Sequence, residues 1–273
     1  MVATLADIVV ATRQRVEAAR RTADLRALER KAESHTPRGF RRALERKARR
    51  GVAVIAELKR ASPSRGMIRG TLHVGGIATE LEQAGAAALS VLTEEQFFHG
   101  DLSDLAEASA ATALPCLRKD FMVDEFQLLE ARANRADAVL LILSALDDAE
   151  FARFHRRSRE LGLDALCEVH DESELARALN LGAEIVGVNN RNLRTFELDL
   201  GTAERLAAKI PQGVLRVAES GIQDGDDIRR LRACRYDAFL IGESLMRANN
   251  AGAKLAEMLA EATDVPRNLK RTT

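Results

Sequence analysis

Glu57 and Lys59 stand two residues apart at the end of an apolar run, within the stretch AVIAELKRASPSRG at residues 53–66. A short apolar run that stops at Ser, Pro and Gly reads as a buried strand entering a loop. Side chains in a strand alternate between faces, so Glu57 and Lys59 point the same way. An acid and a base then sit together where burial of either charge is costly unless it is paired or used. One reading is a plain ion pair at a strand end; the other is a pair set up for chemistry. Recurrence of the same arrangement along the chain favours the second.

The elements that must hold such groups appear as a rhythm. Strand-like runs occur at 52–59, 87–93, 115–119, 138–143, 165–169, 185–189, 214–219 and 238–242. Helix-like segments with an apolar stripe separate them at 77–84, 103–111, 125–134, 148–161, 172–180, 202–210 and 226–233, and a last one spans 251–262. Asp171, Thr202 and Asp226 occupy expected N-cap positions. Strands alternating with helices give βαβ units and a parallel sheet. Eight units predict a single closed (β/α)8 TIM barrel. The alternative is an open doubly wound sheet, but the glycine-rich dinucleotide turn expected after its first strand is missing. Helices are predicted over 3–34 and 37–49, ahead of the first strand. The expected organisation is an N-terminal helical extension at 1–50, the barrel at 51–263 and a polar, fraying tail at 264–273.

In this architecture the active site forms at the C-terminal ends of the strands. Those ends carry Glu57 and Lys59; Thr93 and Glu94; Arg118, Lys119 and Asp120; Glu168 and His170; Asn189, Asn190 and Arg191; Glu219, Ser220 and Gly221; and Gly242, Glu243 and Ser244, with only the fourth, Leu143 and Ser144, nearly apolar. A packed core does not require polar groups at seven of eight strand ends. Two lysines sharing a mouth with Glu57, Glu168 and Glu219 shift one another's pKa values and can supply a general acid and a general base.

Other residues outline the ligand. The ends of strands seven and eight commonly hold phosphate in this fold, and Gly221 and Gly242 permit close backbone approach there. A carboxylate beside a phosphate is unfavourable, so Glu243 is expected to offer its backbone N–H. Arg191 can fork a carboxylate. Phe97, Phe98 and Phe121 cluster at the same mouth in a chain with nine Phe and one Tyr, which suits an aromatic ring or simple loop packing. His73, His99 and His170 read as ordinary polar residues, and no metal-ligand spacing is present.

Bulk properties set outer bounds. The 273 residues are 46% hydrophobic and 30% charged, with net charge +0. That supports one large core and gives no nucleic-acid footprint. The basic run from Arg13 to Arg50 reads as solvated helix faces. Cys116, Cys167 and Cys234 are few, odd in number and far apart, which fits a reducing compartment and buried, inert thiols. No apolar run reaches the length of a membrane span, and the chain reads as soluble and cytoplasmic.

Seven segments carry a resemblance. AELKRASPSRG (56–66), LTEEQFFHG (92–100), PCLRKDF (115–121), CEVHDE (167–172), GVNNRNL (187–193), VAESGI (217–222) and FLIGESLMR (239–247) resemble, in order, the indole-3-glycerol-phosphate synthase family of tryptophan biosynthesis. The resemblance implies a cofactor-independent barrel, with no metal, acting on a small phosphorylated substrate. It would convert 1-(2-carboxyphenylamino)-1-deoxyribulose 5-phosphate into indole-3-glycerol phosphate, carbon dioxide and water. It further implies Lys119 as general acid and Glu168 as general base in dehydration. Lys59 would balance charge at the phosphate or act as acid in dehydration. Glu57, Asn189 and Glu219 would position these groups and bind hydroxyls. Ser62 and Arg191 would hold the carboxylate, and Phe98, Phe121 and Leu140 would wall the ring. Ser220 would bind substrate, and Gly221, Gly242 and Glu243 the phosphate. Neither nucleic acid nor membrane is an expected partner, and a monomer or weak homo-oligomer is expected. Two competing readings are a phosphoribosylanthranilate isomerase, whose Cys/Asp pair has no matching strand ends here, and a non-catalytic barrel that senses a phosphate metabolite.

Overall fold

The computed structural model describes residues 3–192 and 195–263. Eight parallel strands close into a barrel: β1 (Ala53–Leu58), β2 (Ala88–Leu92), β3 (Cys116–Lys119), β4 (Ala138–Ile142), β5 (Asp164–Val169), β6 (Ile185–Asn189), β7 (Leu215–Glu219) and β8 (Ala238–Ile241). Each strand pairs with the next, and β1 closes the ring on β8 through Ala53–Ala238 to Ala56–Ile241. The predicted closed barrel is therefore the observed one.

The period-two alternation of each strand sorts two cores. On β1, Val54, Ala56 and Leu58 face outward into the layer shared with the helices, whereas Ala53 and Ile55 face the interior. The interior core continues through Leu117, Leu140, Leu166, Ile185, Val217 and Leu240. The same parity places the next inward residue on several strands at the C-terminal mouth. Those residues are Glu57, Lys119, Glu168, Asn189 and Glu219, and they line the cavity described below as the candidate site.

Helices cover the barrel: α4 (Val74–Gln83), α5 (Leu102–Ala111), α6 (Glu125–Ala133), α7 (Asp148–Glu160), α8 (Glu172–Asn180), α9 (Gly201–Ala207), α10 (Gly225–Ala233), α11 (Glu243–Arg247) and α12 (Ala251–Thr263). Asp171 caps α8 as expected, its carboxylate accepting from the Glu174 N–H. Thr202 and Asp226 are not caps. α9 starts one residue earlier, where the Asp199 carboxylate takes the Gly201 N–H at 2.9 Å. Asp224 caps α10 by accepting from both Asp226 and Asp227 N–H groups. In each case an aspartate upstream, three residues before Thr202 and two before Asp226, already satisfies the first free donors.

Three helices precede the barrel: α1 (Leu5–Thr22), α2 (Leu25–Glu33) and α3 (Phe40–Ala48). The single helix predicted over 3–34 is in fact two. Ala23 is extended, and Asp24 begins a new helix by accepting the Ala27 N–H. The basic run is not merely solvated. Arg38 donates to Asp137 from Nε (3.0 Å) and Nη2 (2.6 Å), and Asp137 also takes the Cys116 N–H at 2.7 Å. Asp137 is fully buried, as are Phe40 and Leu44, which fill the N-terminal end of the barrel. Cys116 and Cys167 are buried, and burial pushes the Cys116 thiol up to about 12; Cys234, expected to be buried, is half-buried. The tail expected at 264–273 lies outside the described residues.

Candidate active site

The C-terminal mouth opens into a cavity of about 550 Å³. The catalytic candidates Glu57, Lys59, Lys119, Glu168, Asn189 and Glu219 line it. So do Ser62, Phe98, Phe121, Leu140, Arg191 and Ser220, together with Gly221, Gly242 and Glu243.

Lys119 is the centre of the charge arrangement. Its Nζ donates to Glu168 Oε2 at 2.9 Å and lies 3.6 Å from Glu219 Oε2. Burial pulls the ammonium down, but Glu168, Glu219 and Glu57 outweigh it and hold Lys119 above the ordinary lysine value. The two carboxylates diverge. Burial pushes both up. At Glu168, Lys119, His170 and Asn189 reverse that and hold it well below the usual carboxylate range. Glu219 is pushed up to about 8, because repulsion from Glu168 and Glu57 adds to burial while Lys119 compensates only in part. Two acids sharing one ammonium thus split into an ionised partner and one that keeps its proton near neutrality. Glu219 Oε1 is buried without a hydrogen-bond partner.

Two glycines make room for these side chains. A Cβ on Gly187 would lie 2.0 Å from Glu219 Oε1, and one on Gly242 would lie 2.4 Å from Glu57 Oε1. Lys59 Nζ donates to Glu57 Oε1 at 2.6 Å and lies 3.0 Å from the same Gly242 Cβ position. Lys59 therefore sits against the loop that follows β8. On the adjacent loop Ser220 and Gly221 both take positive φ, 64° and 84°. For serine that conformation is unusual and needs support from its surroundings. Asn190 provides it by donating through Nδ2 to the Glu219 and Ser220 carbonyls at 3.0 and 3.1 Å.

Arg191 Nη1 donates to Ser64 Oγ at 2.9 Å, and Ser62 lines the same cavity. The Glu243 side chain turns toward Arg65 (3.1 Å), Arg247 (3.1 Å) and Arg191 (3.5 Å). Its backbone begins α11, behind Gly242. Phe98 and Phe121 face each other with ring centroids 6.1 Å apart. Leu140 and Ile142 continue the apolar wall.

Some strand-end residues serve the frame instead. Arg118 is fully buried and points outward, bonding Thr93 Oγ1 (3.1 Å), Asp120 Oδ2 (2.9 Å) and the Gln127 carbonyl (3.0 Å). Glu94 accepts the N–H groups of Gln96, Phe97 and Phe98, and so sets the turn that carries the Phe98 ring. Leu5 and Ile8 of α1 line the cavity, as do Phe196 and Leu198. The apolar types of Leu5 and Ile8 gave no local signal of this role, because only the tertiary path of α1 brings it over the mouth.

Among the described residues, no group of three or more His, Cys, Asp or Glu side chains is placed to hold a metal ion, and no helix is long and apolar enough to cross a membrane.

Comparison with known proteins agrees with the geometry. A solved structure of tryptophan synthase subunit alpha from Legionella pneumophila superposes with a TM-score of 0.60 at 16% identity, covering 84% of this chain and 100% of that one. At that identity the likeness concerns the fold. Sequence relatives are much nearer. An indole-3-glycerol phosphate synthase from Koribacter versatilis is 52% identical over 259 residues, 95% of this chain and 100% of that protein. One from Leptothrix cholodnii is 47% identical over 255 residues, 93% of this chain and 97% of that protein. The family's sequence profile matches residues 5–258. With that match running from α1 into α12, the chain belongs to the indole-3-glycerol phosphate synthase family.

Proposed function

We propose a division of labour in which Lys119 is the general acid and Glu168 the general base of an indole-forming ring closure. The activity follows from family membership. The chain is a carboxy-lyase that converts 1-(2-carboxyphenylamino)-1-deoxyribulose 5-phosphate into indole-3-glycerol phosphate, carbon dioxide and water. The observation that carries the residue roles is Lys119 held between Glu168 at 2.9 Å and Glu219 at 3.6 Å inside the cavity.

The ring carbon bearing the carboxylate attacks the ketone carbon. Lys119 protonates the ketone oxygen as it becomes a hydroxyl, and its ammonium stabilises the charge that develops there. Loss of carbon dioxide restores the aromatic ring. Glu168, held ionised, then takes the C–H proton, and the departing hydroxyl takes up one proton to leave as water, so that the proton given by Lys119 and the one lost from carbon balance the two in that water. Asn189 steadies Glu168 by donating Nδ2 to Oε1 at 3.0 Å. Glu219, which lines the cavity beside Lys119, binds a substrate hydroxyl, and Glu57 fixes Lys59. Contact between Lys59 and the Gly242 loop supports its role as the counter-charge to phosphate, which Ser220, Gly221, Gly242 and the Glu243 backbone cradle. Arg191 and Ser62 hold the carboxylate, while Phe98, Phe121 and Leu140 flank the ring. Holding a flexible substrate folded for attack supplies a large part of the acceleration.

Indole fluorescence after adding this substrate to the pure protein is the test. The chain has no Trp, so background is low. Rising indole emission is the expected result, and binding without emission would favour a metabolite-sensing barrel.

A further inference from the structure

One buried titratable group beside the site has no part in that mechanism. His170 follows β5 two residues after Glu168, and it does not line the cavity. Its Nε2 lies 3.2 Å from Glu168 Oε1, an ion-pair contact not aligned as a full hydrogen bond. Its Nδ1 lies 3.0 Å from Glu174 Oε2, and its backbone N–H donates to that same oxygen at 2.8 Å. Glu174 is in the first turn of α8, and its own N–H is fixed by the Asp171 cap at 2.9 Å. Both ring nitrogens therefore face carboxylate oxygens. A neutral imidazole would aim a lone pair at one of two anions, whereas an imidazolium turns an N–H toward each. Burial pulls the ring down, but the contacts with Glu168 and Glu174 outweigh it and raise His170 to about 10.

The consequence falls on Glu168. Its Oε1 meets Asn189 Nδ2 and His170 Nε2, and its Oε2 meets Lys119. We propose that His170, clamped as an imidazolium between Glu168 and Glu174, is a positioning residue that pins Oε1 and leaves Oε2 for the reacting proton. It also covers a specific moment. When Lys119 has given its proton to the ketone oxygen, Glu168 loses the ammonium that opposed its charge. His170 is then the cation still in contact with it, and it keeps Glu168 ionised until the C–H proton arrives. This inference rests on the assignment of Glu168 as base.

The groups facing His170 are Glu168 on β5 and Glu174 on α8, with Glu219 on β7 acting on the ring at longer range. The experiment is a pair of pH profiles of kcat and kcat/KM, for wild type, His170→Gln and Glu174→Gln. His170→Gln should lower kcat by about tenfold to a hundredfold, the scale of a small misplacement of a reacting group, with KM changing by less than about threefold. Its acid limb should move to higher pH, because Glu168 without its cation is easier to protonate. Glu174→Gln should retain more activity at neutral pH but gain a new alkaline decline as His170 loses its proton earlier. A lower kcat with an unmoved acid limb would reduce His170 to a packing residue and overturn the proposal, as would a wild-type profile in either variant. Glu174→Gln keeps the test decisive if His170→Gln does not fold. Absence of indole product from wild type would instead overturn the assigned activity.

Discussion

Glu219 Oε1 occupies space that any side chain at residue 187 would need: the Gly187 Cβ position lies 2.0 Å from it. Gly187→Ala should therefore push Glu219 off its place beside Lys119. The other near neighbour, Leu166 Cδ1, would be 3.1 Å away and can give slightly. We expect a soluble, folded variant whose kcat falls by tenfold or more, as a misplacement of about 1 Å can cost ~10²-fold. Steady-state kinetics beside a thermal melt separates this from unfolding.

Replacement of the proposed acid is a sharper intervention. Lys119→Ala should lower kcat by about 10²- to 10⁴-fold, the usual worth of a positioned general acid. Turnover within about tenfold of wild type would end the assignment. Glu168 and Glu219 would then face each other without an ammonium, so Glu168 should also titrate nearer the ordinary range.

Glu219 carries a stability signature. Its carboxyl is raised from 4.5 to about 8 by burial and by neighbouring carboxylates. Between those values the folded chain keeps a proton that the unfolded chain has released. Stability from this group is therefore present below about pH 4.5 and is lost as pH rises toward 8. Urea denaturation of wild type and Glu219→Gln at pH 5 and pH 8.5 checks it. Wild type should lose more stability across that interval than the variant; equal losses would mean that Glu219 is ionised throughout.

At the opposite end of the barrel, Arg38→Ala should leave Asp137 buried with its main cation removed. Loss of one partner from a buried pair costs about 3–5 kcal/mol. His35 lies 3.3 Å from Asp137 but is held below the ordinary histidine value by burial, so it compensates poorly at neutral pH. A marked drop in melting temperature with near-normal kcat on the folded fraction is the expected outcome.

The barrel was legible because each strand is a short apolar run and each helix carries a stripe, and those periods come from backbone geometry alone. The candidate site was legible for the same reason: parity puts Glu57, Lys119, Glu168, Asn189 and Glu219 on the inner face at one end. Parity also explains the residues that went elsewhere, since Arg118 and Thr93 are one step out of phase and join a buried network outside the barrel. The break at Ala23 was hidden because Asp24 is an ordinary helix-surface residue until it becomes a cap. His170 looked like any polar residue, because its meaning depends on Glu174 returning one helical turn later to meet its ring. The role of α1 over the mouth depends on chain path, which local patterns do not encode.

Closure of β1 on β8 has a consequence for synthesis. Ala53–Ala56 receive their second neighbour only when Ala238–Ile241 leave the ribosome. At about 5–20 residues per second that interval is roughly 10–40 s. Throughout it one edge of β1 is open, and Phe40 and Leu44, which end up fully buried beneath the ring, have no finished floor to enter. Phe40 and Leu44 are thus made before the barrel and seated only once its ring is complete.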